Sequence, residues 1–228
     1  MQPSSPDRRR FTRAALSGGL LLATGQVTAQ ADQQALVTQA EAAFRNFLRD
    51  PEMGWFQQNI GRARAVLIAP EIVKAGFIIG GSGGRAVLLA KDSKSGQWRG
   101  PAFYTMATGS IGFQVGIQVA EMVTLVFTQK GIDSLLATSM KLGGDASVAA
   151  GPVGVGAKGE VVTDMVGFSR AKGLYGGLNL DGTVITVDDQ ASAAYYGKSA
   201  SPADVLVRGA VSNKQAAGLI GAVRNARK

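Results

Sequence analysis

The sequence predicts an α+β fold, in which a glycine-rich, mostly antiparallel curved sheet or barrel is flanked by N- and C-terminal helices. The chain has 228 residues and 31 glycines, and 22 of these glycines fall within residues 76–182. Short apolar and β-branched runs alternate with turn residues in the same region, which is typical of antiparallel strands. Glycines at bends allow such a sheet to curve. Helical apolar spacing dominates before residue 50 and after residue 188.

Residues 1–29 are predicted to form an export signal of the twin-arginine type. The sequence Arg8-Arg9-Arg10-Phe11 contains two arginines, a variable residue and a phenylalanine, as such signals do. The apolar run at 14–23 is shorter than the roughly 20 apolar residues that span a bilayer. The alternative interpretation is a basic N-terminal tail that precedes a buried helix.

Small residues at the end of this segment predict the cleavage position, after Ala29 or after Ala31. Cleavage after Ala29 would leave residues 30–228 as a single domain with N- and C-terminal helices. Its net charge would be +5, compared with +8 for the whole chain. The sequence therefore predicts a periplasmic protein that could lie peripherally on a membrane.

The elements at the N-terminal side follow from the spacing of apolar residues. Residues 32–50 carry apolar side chains three and four positions apart with nearly balanced charges, which predicts a core-packed amphipathic helix ended by Pro51. Pro70 is expected to end the first strand, and a turn or a single helical turn is expected at 71–75. Strands are predicted at 64–70, 76–80, 84–90, 102–117, 122–127, 161–169 and 174–187.

The stretch at 142–159 has six glycines and four alanines in eighteen residues, with valines at alternating places. We interpret it as β-hairpin material in which neighbouring backbone segments approach closely. A helix is predicted at 129–140, inside the glycine-rich region. Three further helices are expected at 188–197, from Pro202 onward and at 213–227.

The composition excludes several kinds of chemistry, because the chain contains neither cysteine nor histidine. A nucleophile activated by histidine cannot be assembled. Zinc sites made of cysteine and histidine, and disulfide bonds, are excluded for the same reason. We therefore expect no catalytic residue, cofactor or metal site of these kinds.

Two glycine motifs match catalytic or nucleotide-binding signatures in sequence pattern but not in the residues or elements that such sites require. The G-x-S-x-G pattern around Ser82 lacks a histidine base and is followed by strand-like residues, so we expect a tight glycine hairpin there. The G-x-G-x-x-G pattern at 154–159 is also followed by strand-like residues, whereas a dinucleotide site requires a helix. Asp188-Asp189 is expected to begin a helix rather than to bind calcium, because no EF-hand spacing is present.

Basic residues close to glycine turns are the candidate binding residues. Glycine turns expose backbone N–H groups next to these cations, which favours phosphate or an anionic head group, and the alternative is ordinary solvated turn charge. Nucleic acid is disfavoured, because aromatic residues make up only 7% of the chain and do not alternate with the basic ones. The candidates are Arg85, Lys91, Lys94, Arg99, Lys158, Arg170 and Lys172.

Six segments, in order over about residues 33–211, carry a family resemblance. They are VKAGFIIGG (73–81), GPAFY (100–104), GSIGFQVG (109–116), LGGDASVAAGPVG (142–154), SRAKGLYGG (169–177) and YYG (195–197). On these segments the chain resembles the SYLF-domain family, a lipid-binding module found beside Src-homology-3 domains in actin-associated yeast and mammalian proteins.

The resemblance implies a non-catalytic role in binding anionic phospholipid or a membrane surface. Arg170 and Lys172 lie inside a family segment and are the first candidates for head-group contact. Lys158, Lys94 and Arg99 complete the predicted lipid-binding set. A structural or protein-interaction module of the cell envelope is the alternative function.

Overall fold

The computed structural model describes residues 11–76, 79–111, 116–151, 163–171 and 182–226. Within these residues the helices are α1 (Phe11–Arg49), α2 (Gly54–Asn59), α3 (Gln129–Leu136), α4 (Asp189–Tyr196) and α5 (Ala217–Asn225). The strands are β1 (Ala65–Gly76), β2 (Ile79–Lys91), β3 (Trp98–Ile111), β4 (Gly116–Val126), β5 (Ser139–Lys141), β6 (Val148–Ala150), β7 (Met165–Ala171) and β8 (Val184–Val187). The predicted α+β class is confirmed.

The eight strands form one curled sheet in the order β5-β8-β3-β2-β1-β4-β7-β6. All pairs are antiparallel except β6 and β7, which run parallel. Residues 142–147 alone connect the two edge strands, β5 and β6. A flat eight-stranded sheet would separate its edges by about 34 Å, whereas this connection can reach only about 25 Å when fully extended. The sheet must therefore curl towards a barrel, as the sequence predicts.

Each face of the sheet carries its own apolar core. Helices α1, α2, α4 and α5 cover the outer face, where Phe44, Phe47 and Phe56 are fully buried. Helix α3 and the segment around Val205 cover the inner face, where Tyr104 donates a hydrogen bond of 2.7 Å to the Leu135 carbonyl. Because both faces are covered, the long strands have apolar side chains on both sides.

Helix α1 confirms the amphipathic stripe predicted for residues 32–50. The helix itself begins earlier than predicted. The helix begins at Phe11 and ends at Arg49, one residue before Asp50-Pro51. Leu36, Ala40 and Phe44 on its apolar face are all no more than 3% exposed. This stripe packs on the protein's own sheet, as expected for a core helix.

Three predictions of strand bounds are wrong. The range 102–117 is not one strand, because β3 ends at Ile111 and β4 begins at Gly116. Pro70 lies inside β1, at a bulge between the pairs Ile68–Val87 and Glu71–Arg85. Proline is tolerated there because a bulged position leaves the regular hydrogen-bond ladder. The segment 80–84 lies within β2 instead of forming a hairpin, and Ser82 pairs with Lys74 on one side and Thr108 on the other.

The segment at 142–159 differs in part from the predicted hairpin. Residues 142–147 connect the two sheet edges. Within this loop, Leu142 and Ala146 form an isolated β-bridge. The short strand β6 that follows pairs with β7 in parallel, so it is not one arm of a hairpin with its neighbour. The remainder of the stretch, including the motif at 154–159, lies outside the described residues.

The helix predictions in the second half of the chain are confirmed, with shorter bounds. Helix α3 ends at Leu136, and β5 follows within the range predicted as helix. Asp188 accepts a hydrogen bond of 2.8 Å from Ala191 N, so it caps α4. Asn213 caps the turn that leads into α5 in the same way.

Candidate anion-binding surface

The four long strands define two opposite ends of the sheet with different chemistry. At one end, which we call the cationic end, Ala65 of β1 pairs with Ala90 and Val126, and Ala90 pairs with Arg99. At the other end, which we call the glycine end, Gly76 pairs with both Gly80 and Gly116. The predicted binding residues are divided between these two ends.

Helix α1 crosses the outer face and pairs with the charged residues at the glycine end. Asp32 Oδ2 lies 2.5 Å from Arg85 Nη1, and the hydrogen bond from this guanidinium lowers the pKa of Asp32. The same contact raises the pKa of Arg85. Asn46, on the same helix, donates a hydrogen bond of 3.0 Å to Glu121 Oε1.

Arg170, the first candidate for head-group contact, pairs with Glu121 midway along β4 and lies between two carboxylates. Its Nε is 3.4 Å from Asp50 Oδ2, and its Nη1 is 3.9 Å from Glu121 Oε2. The side chain is 41% exposed, so it reaches solvent with its charge compensated. Lys172 and Lys158, its predicted companions, lie outside the described residues.

Arg64, Lys91 and Lys94 lie together at the cationic end. Lys91 N donates a hydrogen bond of 2.7 Å to the Arg64 carbonyl, and Arg64 N donates one of 2.8 Å to Val126. Arg64 Nη1 donates to the neutral Gln129 side chain at 2.9 Å. Within the described residues, no carboxylate lies at ion-pair distance from these three cations.

Arg99 lies at the same end and stabilises the loop between β2 and β3. Its Nη1 is 3.1 Å from Asp92 Oδ2 and also donates to the Val207 carbonyl. Hydrogen bonds from the backbone N–H and hydroxyl of Ser95, together with the charge of Arg99, lower the pKa of Asp92. The Asp92 carboxylate is thus bound within the loop by Ser95 and Arg99. It forms no ion pair with Lys94, which is exposed.

The two ends differ in net charge over their described residues. The segments that form the cationic end, 62–64, 91–99, 127–133 and 163–164, contain six basic and three acidic residues, for a net charge of +3. The sheet segments that run from the middle of the strands to the glycine end, 71–76, 79–85, 105–111, 116–121 and 169–171, contain three basic and two acidic residues. Asp32 and Asp50, which pair with that end from α1, bring its net charge to −1.

A cleft of about 490 Å³ lies between α1 and strands β1 and β2 at the glycine end. Leu36 and Gln39 line it from the helix, and Glu71, Val73 and neighbouring residues line it from the sheet. Its walls combine apolar side chains with the Glu71 carboxylate and with Arg85, whose charge is compensated by Asp32. This electrostatic environment does not favour an anionic ligand.

Sequence reasoning missed Arg64, because no glycine turn adjoins it in the chain. Its proximity to Lys91 arises from the pairing of β1 with β2, which brings together residues 27 positions apart. The missed signal was its position immediately before a continuous apolar strand, where a charged residue falls at the end of the sheet.

Three further features of the chain are the predicted cleavage residue, possible metal sites and possible membrane spans. Ala29, the predicted cleavage residue, lies within α1. Among the described residues, there is no cluster of three acidic side chains suited to holding a metal ion. In the same part of the chain, no helix combines the length and apolar character of a membrane span.

Comparison with known proteins gives consistent matches to one family. A family model described as "Ysc84: Las17-binding protein actin regulator" matches residues 107–226. The chain is 32% identical over 152 residues to LAS seventeen-binding protein 3 of Saccharomyces cerevisiae, which covers 64% of this chain and 33% of that protein. It is 29% identical over 152 residues to Protein YSC84 of the same yeast, covering 64% of this chain and 32% of that protein.

A vertebrate relative matches at a similar level. The chain is 26% identical over 144 residues to SH3 domain-containing YSC84-like protein 1 of Xenopus laevis, covering 61% of this chain and 42% of that protein. The chain thus spans about a third of the length of the yeast relatives that it matches. No solved structure gives a significant match.

Proposed function

Because the chain belongs to the Ysc84 family, the SYLF-domain proteins, we propose that it is a non-catalytic domain that binds anionic phospholipid surfaces. The binding surface in this proposal is the cationic end of the sheet. The observation that carries the proposal is the charge asymmetry between a +3 cationic end and a −1 glycine end.

The environment of each cation supports this choice of surface. Arg64, Lys91 and Lys94 lack carboxylate partners among the described residues, so a lipid phosphate would not have to displace one. Arg170 would have to give up its contacts with two carboxylates to bind a phosphate, which reduces the net free energy that it contributes to lipid binding. Each unpaired cation near an anionic membrane contributes roughly 1 kcal/mol of attraction, and salt screens that attraction.

The test is co-sedimentation of the full chain with vesicles of phosphatidylcholine alone or mixed with phosphatidylglycerol. We expect binding only to the anionic vesicles, and we expect that binding to weaken with added salt. The triple substitution Arg64→Gln, Lys91→Gln and Lys94→Gln should lower the affinity by roughly a hundredfold, since it removes three such attractions.

A matched control removes the same charge elsewhere. Lys198, Lys214 and Arg224 are exposed cations on or beside α4 and α5, and their replacement with glutamine should leave most of the binding intact. Both variants retain Arg8–Arg10 and the apolar run that follows, so any contribution of the N-terminal segment is the same in each. Equal loss in the two variants would show that total charge, and not this surface, determines binding.

Export is part of the proposal, and its support is the twin-arginine pattern of the sequence. We expect the protein in the periplasmic fraction of a host with a twin-arginine translocase, shortened by cleavage after Ala29 or Ala31. Replacing Arg8 and Arg9 with lysine should retain it in the cytoplasm. Accumulation of the uncleaved chain in the cytoplasm with intact arginines would contradict export.

A protein-interaction role is the second candidate, and the names of the related proteins favour it. The matching family model is described as Las17-binding, and the vertebrate relative carries an SH3 domain. Retention of envelope proteins on the immobilised chain after delipidation would support this role. Loss of all retained proteins on delipidation would favour lipid.

A further inference from the structure

Among the residues whose side chains the structure describes, Val207 is the most exposed large apolar residue, at 52%. It lies in the π-helical turn Asp204–Arg208, after the buried residues Val205 and Leu206 and before Arg208, which pairs with Asp204. Isolated apolar residues on a surface are common, so exposure alone does not indicate a binding site. The evidence for one is the fixed position of Val207 together with the charges around it.

The turn holds Val207 in a fixed outward position. Val205 and Leu206 are 1% and 2% exposed and pack in the inner core. Asp204 Oδ2 accepts hydrogen bonds from the hydroxyl and N–H of Ser201, at 2.6 and 3.0 Å. A side chain presented by a well-packed turn loses little conformational entropy when it enters a new environment.

The same turn is joined to the cationic end. Arg99 donates to the Val207 carbonyl, so the guanidinium lies beside the backbone of the residue that carries the exposed side chain. Gly209 follows with a φ of +62°, and a Cβ at that position would lie 3.1 Å from Arg99 Cζ. A side chain at this position would push the guanidinium by a few tenths of an ångström, and the positive φ independently favours glycine. Lys94 lies in the loop that Arg99 stabilises through Asp92.

We propose that Val207 enters the head-group region of an anionic membrane when the cationic end docks, and so fixes which part of the domain faces the lipid. This inference rests on the proposed function. Apolar side chains next to cations are the combination by which proteins bind the membrane interface, since the apolar group is buried while the cations remain at the phosphates.

Site-specific labelling can test the orientation, because the chain has no cysteine. Val207→Cys and Val184→Cys each provide a single site for an environment-sensitive fluorophore. Val184 is the matched control, since it is a 40% exposed valine of β8 that pairs with Ala107 towards the glycine end. The probe membranes are phosphatidylcholine–phosphatidylglycerol vesicles, with and without brominated acyl chains.

We expect the label at position 207 to shift to the blue on binding and to be quenched by brominated lipid, and the label at 184 to do neither. Val207→Ser in the full chain should weaken vesicle binding about three- to tenfold, the effect of losing partial burial of one valine. Val184→Ser should leave binding unchanged.

The failure of this inference differs from failure of the proposed function. Normal co-sedimentation with a silent label at 207 would overturn insertion and leave anionic lipid binding intact. A response at 184 without one at 207 would show that the opposite end faces the membrane. Absence of co-sedimentation with anionic vesicles would reject the proposed function itself.

Discussion

Replacing Gly84 with alanine tests whether the bulge in β1 requires a residue without a side chain opposite it. A Cβ at Gly84 would overlap the Glu71 carbonyl oxygen and lie 3.3 Å from both the Glu71 carbonyl carbon and Ile72 Cα. All three atoms belong to the backbone of the bulged segment, so no change of rotamer can relieve the overlap.

The magnitude follows from two opposing effects. Forcing a methyl group into a closely packed backbone costs about 1–3 kcal/mol. Alanine also restricts the unfolded chain, which stabilises the folded state by about 0.4–1 kcal/mol at an unstrained position. Because three backbone atoms must move, we expect Gly84→Ala to lower the free energy of unfolding by about 2 kcal/mol. For a domain of this size, that lowers Tm by about 4–8 °C.

Urea unfolding followed by tryptophan fluorescence provides the assay. Trp55 stacks on Phe168 with ring centroids 5.7 Å apart, and Trp98 is 8% exposed, so both report on the folded core. Gly109→Ala is the control, since nothing lies within 4 Å of a Cβ built at Gly109. That variant should be unchanged or slightly more stable. Equal stability of the two variants would refute the close-approach argument.

Three further predictions concern other contacts. Asp164 accepts hydrogen bonds from Thr128 and Ser147, and although partial burial opposes them, these bonds hold its pKa below the usual value. Asp164→Asn should therefore cost about 2 kcal/mol at neutral pH, and urea titrations should show this difference shrinking as the pH falls through that lowered pKa. Phe56 is fully buried against three phenylalanine rings, so Phe56→Ala should cost about 3–5 kcal/mol in the same titrations. A Cβ at Gly218 would meet only the flexible Glu41 carboxylate, so Gly218→Ala should cost less than about 1 kcal/mol, and a larger loss would show a rigid contact.

The sequence was sufficient to predict the fold class, the amphipathic part of α1 and the caps of the C-terminal helices. These features depend on local spacing and on single residues such as Asp188 and Asn213, whose side chains bond to the backbone a few positions away. Pro70 and the glycines of β2 led to wrong strand ends. Their local turn preference is overridden by pairing with strands on both sides, which the sequence does not display.

The candidate site was predictable only in part, for a related reason. Lys94 and Arg99 were identified from their glycine turn, and the structure places them at the same end of the sheet. Whether a cation has a carboxylate partner depends on tertiary contacts, such as those between Arg170 and the distant residues Asp50 and Glu121. Arg64 acquires its neighbour Lys91 through strand pairing, which no local motif encodes.

The loop at 142–147 restrains the whole sheet, because it joins the two edge strands β5 and β6 directly. Its internal bridge between Leu142 and Ala146 is reinforced by a hydrogen bond of 2.9 Å from Gly143 N to the Ala146 carbonyl. The length of these six residues limits how far the two edge strands can separate, and so how flat the sheet can become. An insertion at this point would remove that limit, and the connection would no longer prevent the sheet from opening and exposing the layer around Tyr104 to solvent.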